Sequence, residues 1–289
     1  MKRRLFCFGY GFSASVLAAR LSARDWAVAG TTRKPDKLPA LAAEGAEAFL
    51  LDRDRPLDDP AAALAGATHV LISAPPDARG DPILDQHAAD ILACEGIEWL
   101  GYLSTTGVYG DRGGAWVDED SALEPTGPRG ERRLAAENGW LALWRAHGLP
   151  VHIFRLAGIY GPGRNALETV RRGRAQRIDK PGQVFSRIHV ADIASVLEAS
   201  IAAPNPGRAY NLCDDDPAPP EAVIAHACAL LAVEPPPLVP FEAAELSEMA
   251  RSFYRDNKRV SNARIKAELG VSLAYPDYRT GLKALLAES

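Results

Sequence analysis

A glycine-rich turn set between an apolar strand and a helix constrains this chain more than any other feature. Arg4 to Phe8 reads as a buried strand and Ser13 to Ala23 carries helical periodicity. Between them stands Gly9-Tyr10-Gly11-Phe12-Ser13-Ala14, a G-x-G-x-x-A pattern in the strand-to-helix setting that gives it meaning. Gly9 permits the tight turn, Gly11 lets the backbone approach a pyrophosphate at the helix N-terminus, and Ala14 keeps helix and strand close. Gly9, Tyr10, Gly11, Phe12 and Ser13 are therefore candidate dinucleotide-binding positions. The same glycines argue against taking Lys2-Arg3-Arg4 and the apolar stretch to Ala19 as a secretory signal. No later stretch is apolar for the ~20 residues a membrane span needs.

The alternation continues. Strand-like runs at Ala27–Thr31, Ala48–Leu51, His69–Ser73, Trp99–Ser104 and Val151–Leu156 follow helix-like segments, with Pro35–Glu44 among them. This grammar predicts an α/β chain: a Rossmann-type doubly wound parallel sheet with a smaller, mixed C-terminal substrate lobe. Past Leu156 the pattern loosens. Tyr160–Arg164 reads as a loop, Asn165–Arg172 as a short helix, Ile188–Ala202 as a strand end feeding a helix, and Tyr210–Leu212 as a strand. Pro217 and Pro240 bracket a helix over Glu221–Leu231, and Pro235-Pro236-Pro237 reads as a stiff connector before a broken helical tail. The expected nucleotide-binding domain is 1–157 with 188–213, and the expected substrate lobe 158–187 with 214–289.

Composition narrows the function classes. At 289 residues and 47% hydrophobic the chain buries a full core, and a formal net charge of -4 gives no basic field for nucleic acid. Cys7, Cys94, Cys213 and Cys228 have neither metal-ligand nor disulfide-framework spacing, so they read as reduced, mostly buried thiols of a cytoplasmic protein without a metal. Trp116, Trp140 and Trp144 read as core or interface residues.

At the end of the second strand, where an NAD site offers an acid to the ribose, the chain has Thr31-Thr32-Arg33-Lys34. A guanidinium pairs bidentately with a 2′-phosphate, so Arg33, helped by Thr32 and Lys34, favours NADP over NAD; the alternative is a pair of solvated charges opening the next helix. Asp52 follows the third strand and either meets the adenine amino group or starts a turn. Ala74 and Pro75, after the fourth, are small enough to let the cofactor pass.

Four segments carry a family resemblance: Leu103-Ser-Thr-Thr-Gly-Val-Tyr-Gly110, Phe154-Arg-Leu-Ala-Gly-Ile-Tyr-Gly-Pro-Gly163, Arg187-Ile-His-Val-Ala-Asp-Ile193 and Ala209-Tyr-Asn-Leu212. Through them the first 215 or so residues resemble the extended short-chain dehydrogenases, the sugar-nucleotide epimerase and dehydratase group. The resemblance implies a hydroxyl after the fifth strand that orients the substrate oxygen, a Tyr that carries the proton, and a Lys four residues later that holds the ribose. The hydroxyl maps onto Thr105, beside Ser104 and Thr106. The Tyr and Lys positions map onto Arg129 and Arg133 in Arg129-Gly-Glu-Arg-Arg133-Leu-Ala-Ala-Glu137, so the proton carrier is missing, while Arg133 still suits ribose hydroxyls. Tyr109, Tyr160 and Asp118 are the candidate replacement acids, with Tyr109 placed beside Thr105 and Arg133 in the catalytic set. Ser104 and Leu156 complete the cofactor set by resemblance.

After the sixth strand the group places an Asn against the substrate diphosphate where this chain has Gly158, which weakens a nucleotide-sugar reading. Arg164 and Arg187 remain as anion ligands for a small-molecule substrate, and His189 as a residue that satisfies local backbone. Two functions stay open: an NADP-dependent epimerase/dehydratase-like oxidoreductase acting on a small or sugar-like alcohol or carbonyl, and a cofactor-binding regulatory or redox-sensing protein without turnover. The helices over Ile83–Cys94 and Arg129–His147 lie where the family forms a two-fold four-helix interface, so a homodimer is expected by analogy.

Overall fold

The computed structural model describes residues 3–288. Met1, Lys2 and Ser289 lie outside the described residues, and with them the Lys2 of the basic start and the extreme ends of the two expected domain ranges. The chain runs β1 (Arg4–Phe8), α1 (Phe12–Ser22), β2 (Ala27–Thr32), α2 (Leu38–Ala43), β3 (Glu47–Leu50), α3 (Pro60–Leu64), β4 (His69–Ile72), α4 (Pro82–Ala93), β5 (Trp99–Thr105) and β6 (Trp116–Val117). It continues through α5 (Pro128–His147), β7 (Val151–Leu156), β8 (Gly158–Tyr160), α6 (Ala166–Arg171), β9 (Arg177–Asp179), β10 (Arg187–His189), α7 (Val190–Ala202) and β11 (Ala209–Leu212). The tail holds α8 (Pro220–Leu230), β12 (Leu238–Pro240), α9 (Glu248–Phe253), β13 (Arg259–Val260), α10 (Ala263–Leu269) and α11 (Tyr278–Ala287).

Seven strands form one sheet in the order β11-β7-β5-β4-β1-β2-β3, with β1 paired in parallel to both β2 and β4. The strand order reverses at β1, so the crevice beyond its carboxyl end is a topological switch point, where open α/β sheets take their ligands. The strands are apolar on both faces because helices cover both. Phe6, Phe8, Val70, Ile72, Leu100, Tyr102 and Ile153 pack on one side against Ile83, Ile91, Ala136 and Trp140 of α4 and α5.

The chain divides into two compact units. One comprises Met1–Thr105, Pro128–Arg155 and Ala194–Tyr210, the other Thr106–Gly127, Leu156–Ile193 and Asn211–Ser289. These bounds differ from the expected 1–157 with 188–213 and 158–187 with 214–289. The segment after β5 joins the second unit because β6 pairs with β13, Trp116 opposite Arg259 and Val117 opposite Val260. No local periodicity announces a contact over 140 residues.

The second unit also holds the parallel pairs β8–β10 and β9–β12. Tyr160, the first residue of the expected Tyr160–Arg164 loop, is thus the last residue of β8, and the proline connector leads straight into β12. Leu167, Val223, Ala227, Leu282 and Leu285 of α6, α8 and α11 form this unit's own core with Tyr160 and Tyr278. Trp140 is buried and Trp144 packs on Gly207, whereas Trp116, on a two-residue strand, stands 60% exposed and so is not a core residue.

Candidate functional site

The turn after β1 is built by close backbone approach. Gly9 has φ +89°, and a Cβ placed on it would lie 2.8 Å from the Ala74 amide nitrogen. The Gly9 amide donates to Thr31 Oγ1 (2.8 Å) and the Tyr10 amide to the Thr31 carbonyl (2.7 Å), tying the turn to β2. Gly11 is the N-cap of α1, in extended conformation, with no side chain capping the helix and nothing within 4 Å of where its Cβ would be. An 11-residue helix therefore begins at the sheet's switch point with no side-chain cap and with open space beside Gly11, which is the geometry of an anion site. Phe12 and Ser13 open its first turn. Tyr10 turns its ring onto β2 at Gly30 and packs with Ala18, Val28 and Ala46, so only its backbone faces the turn.

At the carboxyl ends of β2 and β3 the charges are cationic. Arg33 and Lys34 are exposed, and the Thr32 hydroxyl accepts from the Lys34 amide (3.2 Å). Asp52 is the one nearby carboxylate that the sequence put forward, and it is already engaged: it accepts from the Asp54 amide (3.0 Å) and pairs with Arg55 (3.0 Å). Arg55 also donates to the Arg33 carbonyl (3.3 Å), which brings a third cation to this corner. Arg55 escaped the sequence reading because it lies beyond the third strand's turn. Ala74 lies against Gly9 after β4, and Pro75 beside it is exposed.

Below these, β5 and α5 hold a buried polar cluster. Ser104 Oγ donates to Glu137, which takes a further 2.9 Å ion pair from Arg155; Glu137 is 1% and Arg155 5% exposed. The Ser104 hydroxyl is therefore committed to Glu137, while Thr105 at the strand's end is half-buried. Arg133 donates to the Leu103 carbonyl and stacks over the Tyr102 ring at 5.7 Å. Arg129 stands one turn earlier on α5; burial and the neighbouring Arg133 charge lower its pKa, yet a guanidinium remains charged at neutral pH. Leu156 ends β7, buried.

None of the three candidate acids has the surroundings of a proton carrier. Tyr109 is fully buried and donates to Asn211 Oδ1 at 2.7 Å, which explains the tyrosine of its V-Y-G turn as packing. Burial raises the Tyr160 phenol, with Asp214, Asp192 and Asp277 adding to the rise. Asp118 sits in an exposed turn, accepting from the Asp120 amide and from Ser121 Oγ.

The second unit contains a cavity of about 310 Å³ lined by Tyr160, Thr169, Gln176, Arg187 and Tyr278 on its polar side and by Val223, Ile224 and Leu282 on its apolar side. Arg187 donates from Nη1 to the carbonyls of Phe185 (2.8 Å) and Ala218 (3.1 Å) and presents its charge to this space. Arg164 is exposed and does not line it. His189 accepts from the Ala191 amide (3.2 Å) and stacks on Tyr275 at 3.9 Å, the local role expected of it. Asp214, which the sequence reading did not single out, lies beside Arg187, its amide donating to the Arg187 carbonyl (2.6 Å), and is buried with no hydrogen-bond partner on either carboxylate oxygen. Among the described residues no helix is long and apolar enough to cross a membrane.

Residues 9–213 match the model of the NAD dependent epimerase/dehydratase family. Protein YeeZ of Escherichia coli strain K12 is 29% identical over 288 residues, covering 95% of this chain and 97% of the relative. A functionally unknown conserved protein from Silicibacter pomeroyi DSS superposes with a TM-score of 0.92 at 52% identity, over 100% of this chain and 99% of that one. UDP-glucuronic acid 4-epimerase from Bacillus cereus, in complex with UDP-glucuronic acid and NAD, shares the fold at TM-score 0.78 and 17% identity, over 98% of both chains.

Proposed function

This chain belongs to the NAD-dependent epimerase/dehydratase family, and on that footing we propose that it is an NADP-binding oxidoreductase of the extended short-chain type. Its substrate is a small or sugar-like alcohol or carbonyl compound bearing a negative charge. The observation that carries this reading is the turn at Gly9–Gly11, where the uncapped α1 amides open onto clear space at the switch point. When bound, the dinucleotide supplies hydride transfer to or from a substrate carbon. The Gly9–Ser13 backbone holds the pyrophosphate, with Ala74, Pro75, Ser104 and Leu156 as cofactor wall. Arg33, Lys34 and Arg55 meet the 2′-phosphate that distinguishes NADP, since Asp52 is occupied by Arg55. Arg133 holds the ribose and Thr105 orients the substrate oxygen; within the second unit, Arg187 is the anion ligand of that unit's own cavity. Tyr109 has no part in this chemistry, its hydroxyl being held by Asn211, so the proton reaches the reacting oxygen through water. A homodimer through α4 and α5 and a cytoplasmic setting for the four unbridged thiols complete the reading.

A second reading, a cofactor-binding regulatory protein without turnover, is favoured by one feature: α5 carries Arg129 and Arg133 at the positions where the resemblance expects Tyr and Lys. Fluorescence titration with NADPH and NADH tests what both share. A preference for NADPH of about tenfold or more, abolished in Arg33→Ala, supports the cofactor assignment, and absence of binding to either nucleotide ends both readings. Turnover of NADPH with a panel of anionic carbonyl compounds then separates them, the regulatory reading predicting none.

A further inference from the structure

Taking the second unit's cavity as the substrate site, as proposed above, we infer that Asp214 is a proton-exchanging counter-ion of Arg187 and must be protonated for an anion to dock on that arginine. Arg187 has the cavity on one side and Asp214 as the acid acting most strongly on its charge. A guanidinium keeps its charge even when burial lowers its pKa, so a buried one draws any counter-charge within its reach. Two are available: the ionised Asp214 carboxylate or an anion in the cavity. The first is poorly supported, because Asp214 is 1% exposed and neither of its oxygens has a hydrogen-bond partner. An ionised carboxylate in such a place pays a desolvation penalty that Arg187 and the nearby backbone amides offset only in part.

The surroundings give the proton equilibrium its direction. Burial pushes the Asp214 carboxyl up to about 8, against the opposing Arg187 charge and the nearby Asp216 and Arg187 amides, and Asp216 raises it further. The other groups facing this corner are Tyr160 on β8, Tyr278 and Asp277 at α11, Asp192 on α7 and the neighbouring Cys213. Burial raises the phenols of Tyr160 and Tyr278 and the thiol of Cys213, so these stay neutral in the range where Asp214 exchanges its proton. Asp192 is held by the amides of Ala274 and Tyr275 (2.8 and 3.0 Å) and Asp216 by Arg279 (2.6 Å). At neutral pH Asp214 is thus largely protonated and Arg187 is left for the ligand. As pH rises, Asp214 ionises, neutralises Arg187 and repels an incoming anion. By linkage, anion affinity is flat below the Asp214 pKa and falls above it. The ligand this selects has an anionic head for Arg187 and a body that fits against Val223, Ile224 and Leu282.

The test uses benzenesulfonate, whose charge does not change over the range, titrated calorimetrically into the full-length protein from pH 6.5 to 9.5. Wild-type affinity is expected to drop about tenfold between pH 7 and 9, following the deprotonated fraction of a group titrating near 8. Asp214→Asn and Asp214→Ala, checked for native circular dichroism, are expected to bind equally across the range. Binding lost in Arg187→Ala at every pH ties the probe to this cavity. If the probe binds through Arg187 but wild type shows no fall, or either Asp214 variant keeps it, the proton linkage is wrong while the cavity assignment survives. If wild type does not bind the probe even at pH 6.5, the cavity assignment fails, and the linkage with it.

Discussion

Gly9 and Gly11 stand two residues apart in one motif, and the structure predicts opposite consequences for the same substitution. In Gly9→Ala a Cβ meets backbone atoms at 2.8 Å (Ala74 amide nitrogen), 3.1 Å (Ala74 Cα) and 3.2 Å (Ser73 carbonyl carbon), from a φ of +89° that L-residues avoid. The conformational cost is about 1–2 kcal/mol. Overpacking against backbone that cannot rotate away adds about 1–3 kcal/mol, so unfolding free energy falls by about 2–5 kcal/mol. Gly11→Ala has an ordinary φ of -110° and nothing within 4 Å, so stability stays within about 0.5 kcal/mol of wild type. Yet its methyl enters the space that a pyrophosphate would occupy before the α1 amides, and NADPH affinity falls by at least about tenfold, or 1.4 kcal/mol. Urea denaturation followed by circular dichroism, and fluorescence titration of each folded variant, separate the two effects. A Gly11→Ala protein that is stable and binds NADPH like wild type would refute the assignment of this turn to the pyrophosphate.

Three further outcomes are expected. Glu137→Ala removes the buried ion-pair partner of Arg155 and the acceptor of the Ser104 hydroxyl, lowering unfolding free energy by about 3–5 kcal/mol in denaturant titration, whereas a loss under about 1 kcal/mol would mean that the pair adds little to stability. Tyr109→Phe removes a buried hydrogen bond to Asn211 and costs about 1 kcal/mol of stability, and any turnover the protein has should keep its rate; a large drop in kcat with unchanged stability would restore Tyr109 as a catalytic acid. The folded-state pKa of Asp214 is raised from the ordinary carboxylate range to about 8, so the folded state holds more protons across that window and stability present at low pH is lost as pH rises through it. Asp214→Asn should therefore melt higher than wild type at pH 8.5, with the gap closing toward pH 5; a gap independent of pH would contradict the assignment.

The sequence by itself determined the sheet and its ligand edge. Apolar runs at β1, β2, β4, β5 and β7 separated by helical patterns admit little besides a parallel sheet covered on both faces, because both periodicity and strand length are local properties. The glycines at 9 and 11 likewise announced the turn, and at Gly9 only a residue without Cβ accepts what the backbone does there. The arginines on α5 were legible for the same reason, as a departure from a motif of fixed spacing. What tertiary structure alone decided was which polar groups are already spent. Tyr109 is bonded to a residue 102 positions away, Ser104 to one 33 away, and Asp52 to Arg55 across a turn. Whether a hydroxyl or carboxylate is available for chemistry depends on its partners and its desolvation, and both are set by packing between segments remote in the chain. Asp214 shows this most sharply: of the three consecutive acids Asp214, Asp215 and Asp216, Asp215 pairs with Lys266, Asp216 with Arg279, and only the first is drawn inside beside Arg187.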